Sequence, residues 1–392
     1  MNYVIRTIDE CFFQIQNGAN IKQGDIDGGF HITRIETTAN DKFNRDRMGY
    51  AGITDISKYE SYVLEDGDLL MSHINSVQYL GRTVLYVKQP DETIIHGMNL
   101  LRLKAKRDII NPAYARYCFY GHPFRNQISN ITKKSVNQAS FAVKDLKQIK
   151  IDVPSVAEQT DIVEILDKIQ RLIELRMSEL LKLDELIKAR FVEMFGHQSH
   201  NEKGLPYLTI DDVAEIYLGI THTPTYVENG VMFISAKNTS GDFLDLSDVK
   251  YISREEFESA PKGSKPQIND VLFSRVGSNL GHPVILEEEM ELCTFVSLGF
   301  LRTKGSVTSN YLKHWMRDDF FAKQVSEHVK GGGQPNLNTG WLKEFKIIVP
   351  DIVYQREFDE FCKQVDKSKV VVQKSLYELQ VLFDSLMQQY FG

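Results

Sequence analysis

The sequence has 392 residues, and the features that it lacks exclude several classes of protein. It has no run of about 18 apolar residues, so we expect no membrane-spanning helix. Its first residues lack a basic segment followed by an apolar one, so we expect no signal peptide. The cysteines are scattered and form no CxxC pair, which argues against a disulfide framework or a thiolate metal site and fits a reducing cytoplasm. They are Cys11, Cys118, Cys293 and Cys362.

Motifs of catalysis are missing as well. The sequence contains no Gly-Lys pair, so it has no P-loop, and no G-x-G-x-x-G follows a strand. Residues 111–114 (Asn-Pro-Ala-Tyr) are similar to the Asn-Pro-Pro-Tyr motif of amino-methyltransferases but lack the second proline, and we interpret them as a helix start. His197 and His200 have a metal-ligand spacing without a nearby third ligand. We therefore expect no catalytic residue, no metal site and no cofactor in this chain.

The composition is that of an ordinary globular protein, with 42% hydrophobic and 25% charged residues and a formal net charge of −7. This total charge does not by itself favour a nucleic-acid partner. The charge is uneven, however, because residues 1–143 carry a net +2 and residues 201–338 a net −6. Any nucleic-acid surface in the second region must therefore be a local patch.

An internal repeat organises the chain. Residues 138–196 align without a gap onto residues 334–392, at an offset of 196, and 14 of the 59 aligned positions are identical. Upstream, residues 67–73 match residues 269–275 more loosely, and Tyr114, Phe124 and Gln127 match residues 197 positions later. The sequence therefore predicts two copies of one unit. Each copy is a domain that differs between the copies, followed by a tail that is similar in both. Identical pairs in the tail include Gln138/Gln334, Lys150/Lys346, Pro154/Pro350, Gln159/Gln355 and Gly196/Gly392.

Each of the two similar tails is predicted to be a long helix. A strand-like run ends at Pro154 or Pro350, and neither proline nor glycine then interrupts the chain until Gly196 or Gly392. Apolar residues recur at alternating steps of four and three for nearly five heptads, which is typical of a coiled coil. Pseudo-twofold symmetry favours an antiparallel pair; the alternative is two separate amphipathic helices, each packed on its own domain. The predicted seam includes Ile162, Leu166, Ile169, Leu180, Leu183, Ile187, Phe358, Val365, Leu376, Leu379 and Phe383.

The divergent parts contain short strand patterns punctuated by Gly, Asn and Asp, with helices expected near residues 112–128 and 309–329. The predicted fold class is therefore α+β, with two pseudo-symmetric α/β domains separated by two long helices that form an antiparallel coiled coil. We place the first domain at residues 1–152 and its helical spacer at 153–196. The second domain is placed at 197–348 and its spacer at 349–392.

Polar loops at matched places in the two copies are candidate DNA-binding segments. Their Arg, Asn, Gln and Ser side chains can read base edges, and lysines and the amides of a glycine run can hold phosphates. A polar solvated turn is the alternative for any one loop. In the first copy the candidates are His73, Asn75, Gln78, Tyr79, Arg82, Lys133, Lys134 and Asn137. In the second copy they are Lys237, Asn238, Arg275, Ser278, Asn279, His282, Lys330, Gly332, Gln334 and Asn336.

The chain repeats the order of a divergent domain and a long helix that is similar in both copies. This arrangement resembles that of the specificity subunits of type I restriction-modification systems. The segments that carry the resemblance are residues 153–159 (Val-Pro-Ser-Val-Ala-Glu-Gln) and the helix end at residues 183–196. Residues 67–70 (Gly-Asp-Leu-Leu) and 269–272 (Asn-Asp-Val-Leu) are similar to the Gly-Asp-Ile-Leu strand of that family, which leads into a recognition loop. The resemblance covers essentially the whole chain.

The resemblance implies a non-catalytic subunit whose two target recognition domains each read one half of a bipartite site on double-stranded DNA. It also implies that the helices set the spacing and dock two modification (DNA adenine methyltransferase) subunits, and that restriction (motor-nuclease) subunits complete the complex. S-adenosylmethionine, ATP and magnesium would then belong to those partners. Two other functions stay open: a coiled-coil scaffold with two protein- or ligand-binding domains, and an enzyme with its own nuclease or methyltransferase site.

Overall fold

The computed structural model describes residues 3–21, 28–135, 138–277, 279–328 and 336–392. It divides into two compact units. Unit 1 consists of Met1–Met177 and Lys374–Gly392, and unit 2 consists of Ser178–Gln373. Each unit therefore contains one α+β domain and a part of each long helix.

The first copy of the repeat contains twelve described strands and five α-helices. The strands are β1 (Val4–Thr7), β2 (Phe12–Asn17), β3 (His31–Ile32), β4 (Gly49–Tyr50), β5 (Leu69–Ser72), β6 (Ile74–Asn75), β7 (Thr83–Leu85), β8 (Ile94–Ile95), β9 (Leu100–Ala105), β10 (Lys133–Lys134), β11 (Ala139–Ser140) and β12 (Lys150–Val153). The helices are α1 (Ile8–Cys11), α2 (Pro112–Cys118), α3 (His122–Ile131), α4 (Val143–Leu146) and α5 (Val156–Phe195).

The second copy contains ten described strands and six α-helices. The strands are β13 (Tyr207–Thr209), β14 (Ala214–Leu218), β15 (Tyr226–Val227), β16 (Val231–Ile234), β17 (Lys250–Ile252), β18 (Val271–Ser274), β19 (Pro283–Ile285), β20 (Leu292–Thr294), β21 (Leu298–Thr303) and β22 (Lys346–Ile348). The helices are α6 (Ile210–Val213), α7 (Arg254–Ser259), α8 (Ser309–Met316), α9 (Asp319–His328), α10 (Thr339–Glu344) and α11 (Ile352–Phe391).

The two domains share one sheet topology. In unit 1 the main sheet has the antiparallel order β2-β9-β5-β7, and in unit 2 it has the order β14-β21-β18-β19. Each domain also contains one parallel strand pair, β3 with β8 or β16 with β20. A small antiparallel pair, β1 with β12 or β13 with β22, joins the start of each domain to the strand before its long helix. The fold therefore repeats as the sequence predicted.

Local sequence explains where the helices begin and end. Asn111 caps α2 by accepting a hydrogen bond from the Ala113 amide at 2.9 Å, with Pro112 in the first turn, so residues 111–114 are a helix start as expected. At the entry to α5, the Glu158 carboxylate accepts from the Ser155 amide at 3.1 Å, and the Ser155 hydroxyl accepts in return. The helices α5 and α11, 40 residues each, end before glycines with positive φ.

In unit 1, the end of α11 completes the core of the first domain. Ile162 and Leu166 of α5 share one hydrophobic cluster with Phe391 of α11 and with Tyr114 of α2. The Phe391 ring lies 5.2 Å from the Tyr114 ring. Burial of such a side chain contributes about 1.5–3 kcal/mol. An early part of α5 thus lies beside a late part of α11, which makes the helix pair antiparallel in this unit.

Unit 2 has the matching arrangement. Phe191 near the end of α5 packs against Phe358 near the start of α11, with ring centroids 5.5 Å apart. Arg190 pairs with Glu357 at 3.5 Å, and Lys369, which is 4% exposed, pairs with Asp184. Here also the order of contacts is antiparallel. Each long helix serves both units, so the alternative of two helices packed only on their own domains is wrong.

The predicted seam residues are all buried or half-buried. The buried ones are Ile162, Leu166, Ile169, Ile187, Phe358 and Val365, and the half-buried ones are Leu180, Leu183, Leu376, Leu379 and Phe383. The predicted fold class is therefore confirmed. The predicted domain limits at residues 152, 196 and 348 stay predictions, because the two compact units divide within the helices instead.

Candidate nucleic-acid interface

The same backbone framework holds the loop that follows β5 in unit 1 and β18 in unit 2. The Gly81 amide donates to the Ser72 carbonyl at 2.8 Å, and the Gly281 amide donates to the Ser274 carbonyl at 2.7 Å. Both glycines have positive φ, +73° and +78°, which side chains rarely adopt. A Cβ at Gly281 would also lie 2.6 Å from the Phe321 ring. Each loop is therefore closed by one equivalent turn.

A buried aspartate fixes the strand that leads into each loop. The Asp68 carboxylate accepts from the Glu65 amide at 2.8 Å, and burial raises the pKa of Asp68. Its counterpart Asp270 accepts from the Gln267 amide at 2.7 Å and takes two hydrogen bonds from Arg302, at 2.9 and 2.7 Å. The aspartate of the strand motif thus organises the turn before the loop, since its oxygens are used inside the domain.

In unit 1, a three-stranded sheet brings two of the predicted loops together. Its order is β10-β11-β6, and Lys134 and Asn75 lie on either side of Ala139. Lys133 and Lys134 are both exposed. The sequence had placed Asn75 and these lysines about 60 residues apart, so the structure joins a side chain able to read a base edge with cations able to hold phosphates.

The rest of that loop presents side chains to solvent. Gln78 and Tyr79 lie in a short 3-10 turn, and both are exposed. The Arg82 guanidinium lies 4.7 Å from the centre of the Tyr79 ring and pairs with Asp41 at 2.8 Å, so it is held in place. We call Asn75, Gln78, Tyr79, Lys133 and Lys134 the first polar surface.

His73 differs from its predicted neighbours because it points inward. It is 6% exposed, and its ring lies 6.3 Å from the ring of Phe141, whose amide donates to the His73 carbonyl. Burial lowers the pKa of His73 to about 4, so the imidazole is neutral at physiological pH. A contact between His73 and DNA stays a prediction, and the observed side chain helps to close the domain.

Arg275, the counterpart of His73, is also used inside its domain. Its guanidinium donates to the Val296 carbonyl at 2.9 Å and to the Leu337 carbonyl at 3.2 Å. The Leu337 amide donates in return to the Arg275 carbonyl at 2.9 Å. Arg275 therefore ties the loop after β18 to the segment before α10, and base reading by this residue stays a prediction. Exposed Asn336 lies beside it, 3.5 Å from the guanidinium.

Three other predicted residues of unit 2 lie in or beside the turn at residues 236–241. His282 hydrogen bonds to the Gly241 carbonyl at 2.9 Å, and exposed Asn279 is 3.5 Å from the Ser240 carbonyl. Lys237 lies in the 3-10 turn that directly precedes Ser240; it is exposed and pairs with Asp248 at 2.7 Å. We call Lys237, Asn279, His282 and Asn336 the second polar surface.

Asn238 is buried, 3% exposed, and its side chain serves the turn that contains it. It accepts from the Ser235 amide at 3.0 Å and donates to the Asp245 carbonyl at 2.9 Å. DNA contact by Asn238 stays a prediction. Five further predicted residues lie outside the described residues: Asn137, Ser278, Lys330, Gly332 and Gln334.

Sequence reasoning missed the residue that joins each long helix to its domain. Gln159 is fully buried; its side chain accepts from the Asn111 amide at 2.7 Å and donates to the carbonyls of Ile109 and Pro154, each at 2.9 Å. Gln355 repeats this set, accepting from the Thr308 amide at 2.9 Å and donating to Ser306 and Pro350. The identity of the two glutamines in the repeat was the signal that could have found them.

Across the ranges given above, no group of three or more His, Cys, Asp or Glu could hold a metal ion. In the same ranges no helix has the length and apolar character that crossing a bilayer requires.

Known proteins share the sequence pattern. Residues 2–185 match the family model of the type I restriction modification DNA specificity domain. The putative type I restriction enzyme MjaX specificity subunit of Methanocaldococcus jannaschii is 31% identical over 217 residues, covering 55% of this chain and 50% of that protein. The type I restriction enzyme EcoKI specificity subunit of Escherichia coli is 25% identical over 157 residues, covering 40% of this chain and 33% of that protein.

Similarity in fold extends along the whole chain. The S subunit of the type I restriction-modification system from M. genitalium superposes with a TM-score of 0.60 at 16% identity, covering 100% of this chain and 96% of that one. At such identity the likeness concerns the fold alone. The matches to these two curated relatives span half of their length or less. Residues 2–185 therefore carry the type I restriction modification DNA specificity domain, and the chain as a whole has the fold of the S subunits of type I restriction-modification systems.

Proposed function

We propose that the chain is the non-catalytic DNA-recognition subunit of a type I restriction-modification complex, and that each unit reads one half of a bipartite site on double-stranded DNA. One observation carries this proposal. The two units hold equivalent loops with equivalent backbone hydrogen bonds, Gly81 to Ser72 and Gly281 to Ser274, but expose different side chains on them. Reading two different half-sites needs such a shared scaffold with changed reading groups.

The side chains of the two polar surfaces have the right chemistry for this task. Carboxamides can donate to and accept from adenine in the major groove, which suits exposed Gln78 in unit 1 and exposed Asn279 in unit 2. Asn75 is half-buried, and its carboxamide donates to the Ser72 hydroxyl at 3.2 Å and accepts from the Ser76 amide at 2.8 Å. Lysines act as point charges for phosphates, which suits Lys133 and Lys134. These contacts would position and read one duplex locally, so an acidic total charge does not oppose the proposal.

We assign a positioning role to the two residues that turn inward. Hydrogen bonds from Arg275 to two carbonyls, and burial of His73, fix the base of each loop. A loop that is already ordered loses less conformational entropy on binding, which favours both affinity and selectivity. Base reading is then left to the first and second polar surfaces.

The long helices are proposed to set the half-site spacing and to dock two modification subunits. A helix of 40 residues extends about 60 Å at about 1.5 Å per residue. Although their seam is buried, the helices expose large apolar side chains, and exposed apolar patches mark protein interfaces. In unit 1 these include Ile165, Leu172, Leu175, Met177, Tyr377 and Val381, and in unit 2 they include Leu181, Leu186, Val353, Tyr354, Val370 and Val371.

Under this proposal the chemistry belongs to the partners. Modification (DNA adenine methyltransferase) subunits would bind S-adenosylmethionine, and restriction (motor-nuclease) subunits would use ATP and magnesium. The chain would supply sequence recognition and the spacing between the half-sites. Two half-site contacts held by a stiff spacer reinforce each other through effective concentration.

The test is selection of binding sites by the assembled complex. The chain is co-expressed with its modification subunit, and the purified complex selects from a randomised duplex library at a fixed salt concentration, since phosphate contacts depend steeply on salt. We expect a consensus in two parts, separated by a gap of constant length. Recovery of no consensus, together with binding that does not vary with salt, would favour the coiled-coil scaffold instead.

A further inference from the structure

In unit 2, a glutamine side chain fills a socket beside the end of α5. After Gly196, which has a φ of +77°, the chain turns back and buries Gln198 to 1% exposure. The Gln198 carboxamide accepts from the Ile348 amide at 3.4 Å and donates to the Tyr311 hydroxyl at 3.3 Å. Its backbone carbonyl accepts from the Tyr207 hydroxyl at 2.8 Å. The glutamine is thus held at three points.

Unit 1 repeats the walls of this socket. The Tyr114 hydroxyl donates to the Asp152 carbonyl at 3.0 Å, as the Tyr311 hydroxyl donates to the Ile348 carbonyl at 2.6 Å. Phe391 lies against Tyr114 as Phe195 lies against Tyr311, with ring centroids 5.2 and 4.9 Å apart. Gly392 has a φ of +87°, close to that of Gly196.

What differs is the centre of the socket. In unit 1 a cavity of about 180 Å³ lies there, lined among others by Ile5, Tyr114, Cys118, Asp152, Tyr390 and Phe391. This is well above the ~10–15 Å³ of such space that one water needs, so the cavity admits a side chain of several heavy atoms. Ile5 stands in the register position of Tyr207 and is 66% exposed at the rim.

The polar groups of the cavity would be satisfied by a ligand that carries both a hydrogen-bond donor and a hydrogen-bond acceptor. On strand β12 the amide and carbonyl of Lys150 turn away from β1, towards Gln127. Asp152, two residues later, turns the same way, so its amide can donate into the cavity while the Tyr114 hydroxyl oxygen can accept. A carboxamide satisfies both groups, whereas a carboxylate only accepts and an ammonium group only donates.

We propose that this carboxamide socket, formed by Ile5, Tyr114, Asp152 and Phe391, binds a glutamine side chain presented by an extended segment of a partner polypeptide. The bound glutamine takes the position that Gln198 holds in unit 2. Its carbonyl oxygen accepts from the Asp152 amide, and its NH₂ group donates to the Tyr114 hydroxyl. The proposal does not depend on DNA recognition, because the socket lies apart from both polar surfaces in the sequence and in its lining residues.

The probe is a fluorescein-labelled peptide with the sequence of residues 197–205 (His-Gln-Ser-His-Asn-Glu-Lys-Gly-Leu), added to the full chain. Fluorescence anisotropy should show saturable binding of one peptide per chain, because the unit 2 socket is already filled. The same peptide with Gln198→Ala should bind about tenfold more weakly, since two hydrogen bonds are lost. Equal affinity of the two peptides would overturn the proposal.

A gain of affinity offers a second measurement. Ile5→Tyr supplies the hydroxyl that Tyr207 provides in unit 2 and should tighten peptide binding several-fold. Val4→Tyr is the matched control, because neighbouring residues of a strand face opposite sides, and it should leave the affinity unchanged. If both variants changed the affinity alike, the position of the socket would be wrong.

Covalent attachment keeps the proposal testable if the free peptide binds too weakly to detect. Residues 197–201 are appended after Gly392, with and without Gln198→Ala, and hydrogen exchange of the Asp152 amide is measured in the full chain. The glutamine version should slow this exchange about tenfold relative to the alanine version. Identical exchange rates in the two fusions would refute the assignment.

Discussion

Replacing Gln159 by methionine should weaken unit 1 by removing the three hydrogen bonds that join α5 to the first domain. Methionine has a similar length and fills the site, so the loss isolates the polar contacts. The substitution leaves the Asn111 amide and the carbonyls of Ile109 and Pro154 without the partner that the glutamine provides. A buried backbone group without a partner costs about 1–3 kcal/mol. Because the three costs are not additive, we expect the free energy of unfolding to fall by about 3–5 kcal/mol in total.

The internal repeat supplies matched controls. Gln355→Met removes the equivalent three hydrogen bonds and should produce a loss of the same size in unit 2. Gln388→Met changes an exposed glutamine of α11 in unit 1 and should alter the free energy of unfolding by less than about 0.5 kcal/mol.

Hydrogen exchange read by mass spectrometry separates the two units. In Gln159→Met the amides of α2 should exchange faster while those of α8 stay protected, and Gln355→Met should show the reverse pattern. Denaturant unfolding of each variant gives the accompanying free energy. The reasoning is refuted if Gln159→Met costs less than about 1 kcal/mol, or if it exposes both units equally.

Three further predictions concern charged side chains. Arg275→Ala removes hydrogen bonds to two carbonyls and should cost about 1–3 kcal/mol in thermal unfolding, and an unchanged melting temperature would contradict its positioning role. Asp184→Leu deprives buried Lys369 of its nearest partner and should lower the free energy of unfolding in denaturant by about 3 kcal/mol. Lys369→Met leaves Asp184 in contact with water and should change that free energy by no more than about 1 kcal/mol. Equal losses in the two variants would contradict this. Hydrogen bonds from Arg45 lower the pKa of Glu92 to about 2, so its stabilising effect is present above pH 4.5 and is lost as the pH falls towards 2. Glu92→Gln should therefore flatten the curve of stability against pH in that range, and an unchanged curve would remove Glu92 from the account.

Elements with strong periodicity were predictable because one local pattern determines them. The seam from Ile162 to Ile187 and its counterpart in α11 follow from heptad spacing, and strands β5 and β18 have the limits that their apolar runs indicate. The helix start at Asn111 followed from cap chemistry. Repetition added the pairing of the helices, since two equivalent stripes in one chain are natural partners.

The orientation of loop side chains was not predictable in the same way. Arg275 and His73 stand in loops whose composition suits DNA contact, yet their positions relative to Leu337 and Phe141 depend on chain segments more than 60 residues away. Asn75 and Lys134 lie on either side of Ala139 only because β11 pairs with both of their strands. Such contacts come from the tertiary fold, so composition alone indicates the kind of surface but not which side chains form it.

The central claim, that each unit reads its own half-site, is tested most directly by binding-site selection with two single variants. Gln78→Ala lies on the first polar surface and Asn279→Ala on the second, and both side chains are exposed, so neither change should unfold the domain. The complex with each variant selects from the same randomised duplex library as the unaltered complex. We predict that Gln78→Ala relaxes base preference in one half-site and Asn279→Ala in the other, each by about 1–3 kcal/mol at the affected base pair. Loss of preference in both half-sites from either variant, or a uniform loss of affinity for all sequences, would contradict the account.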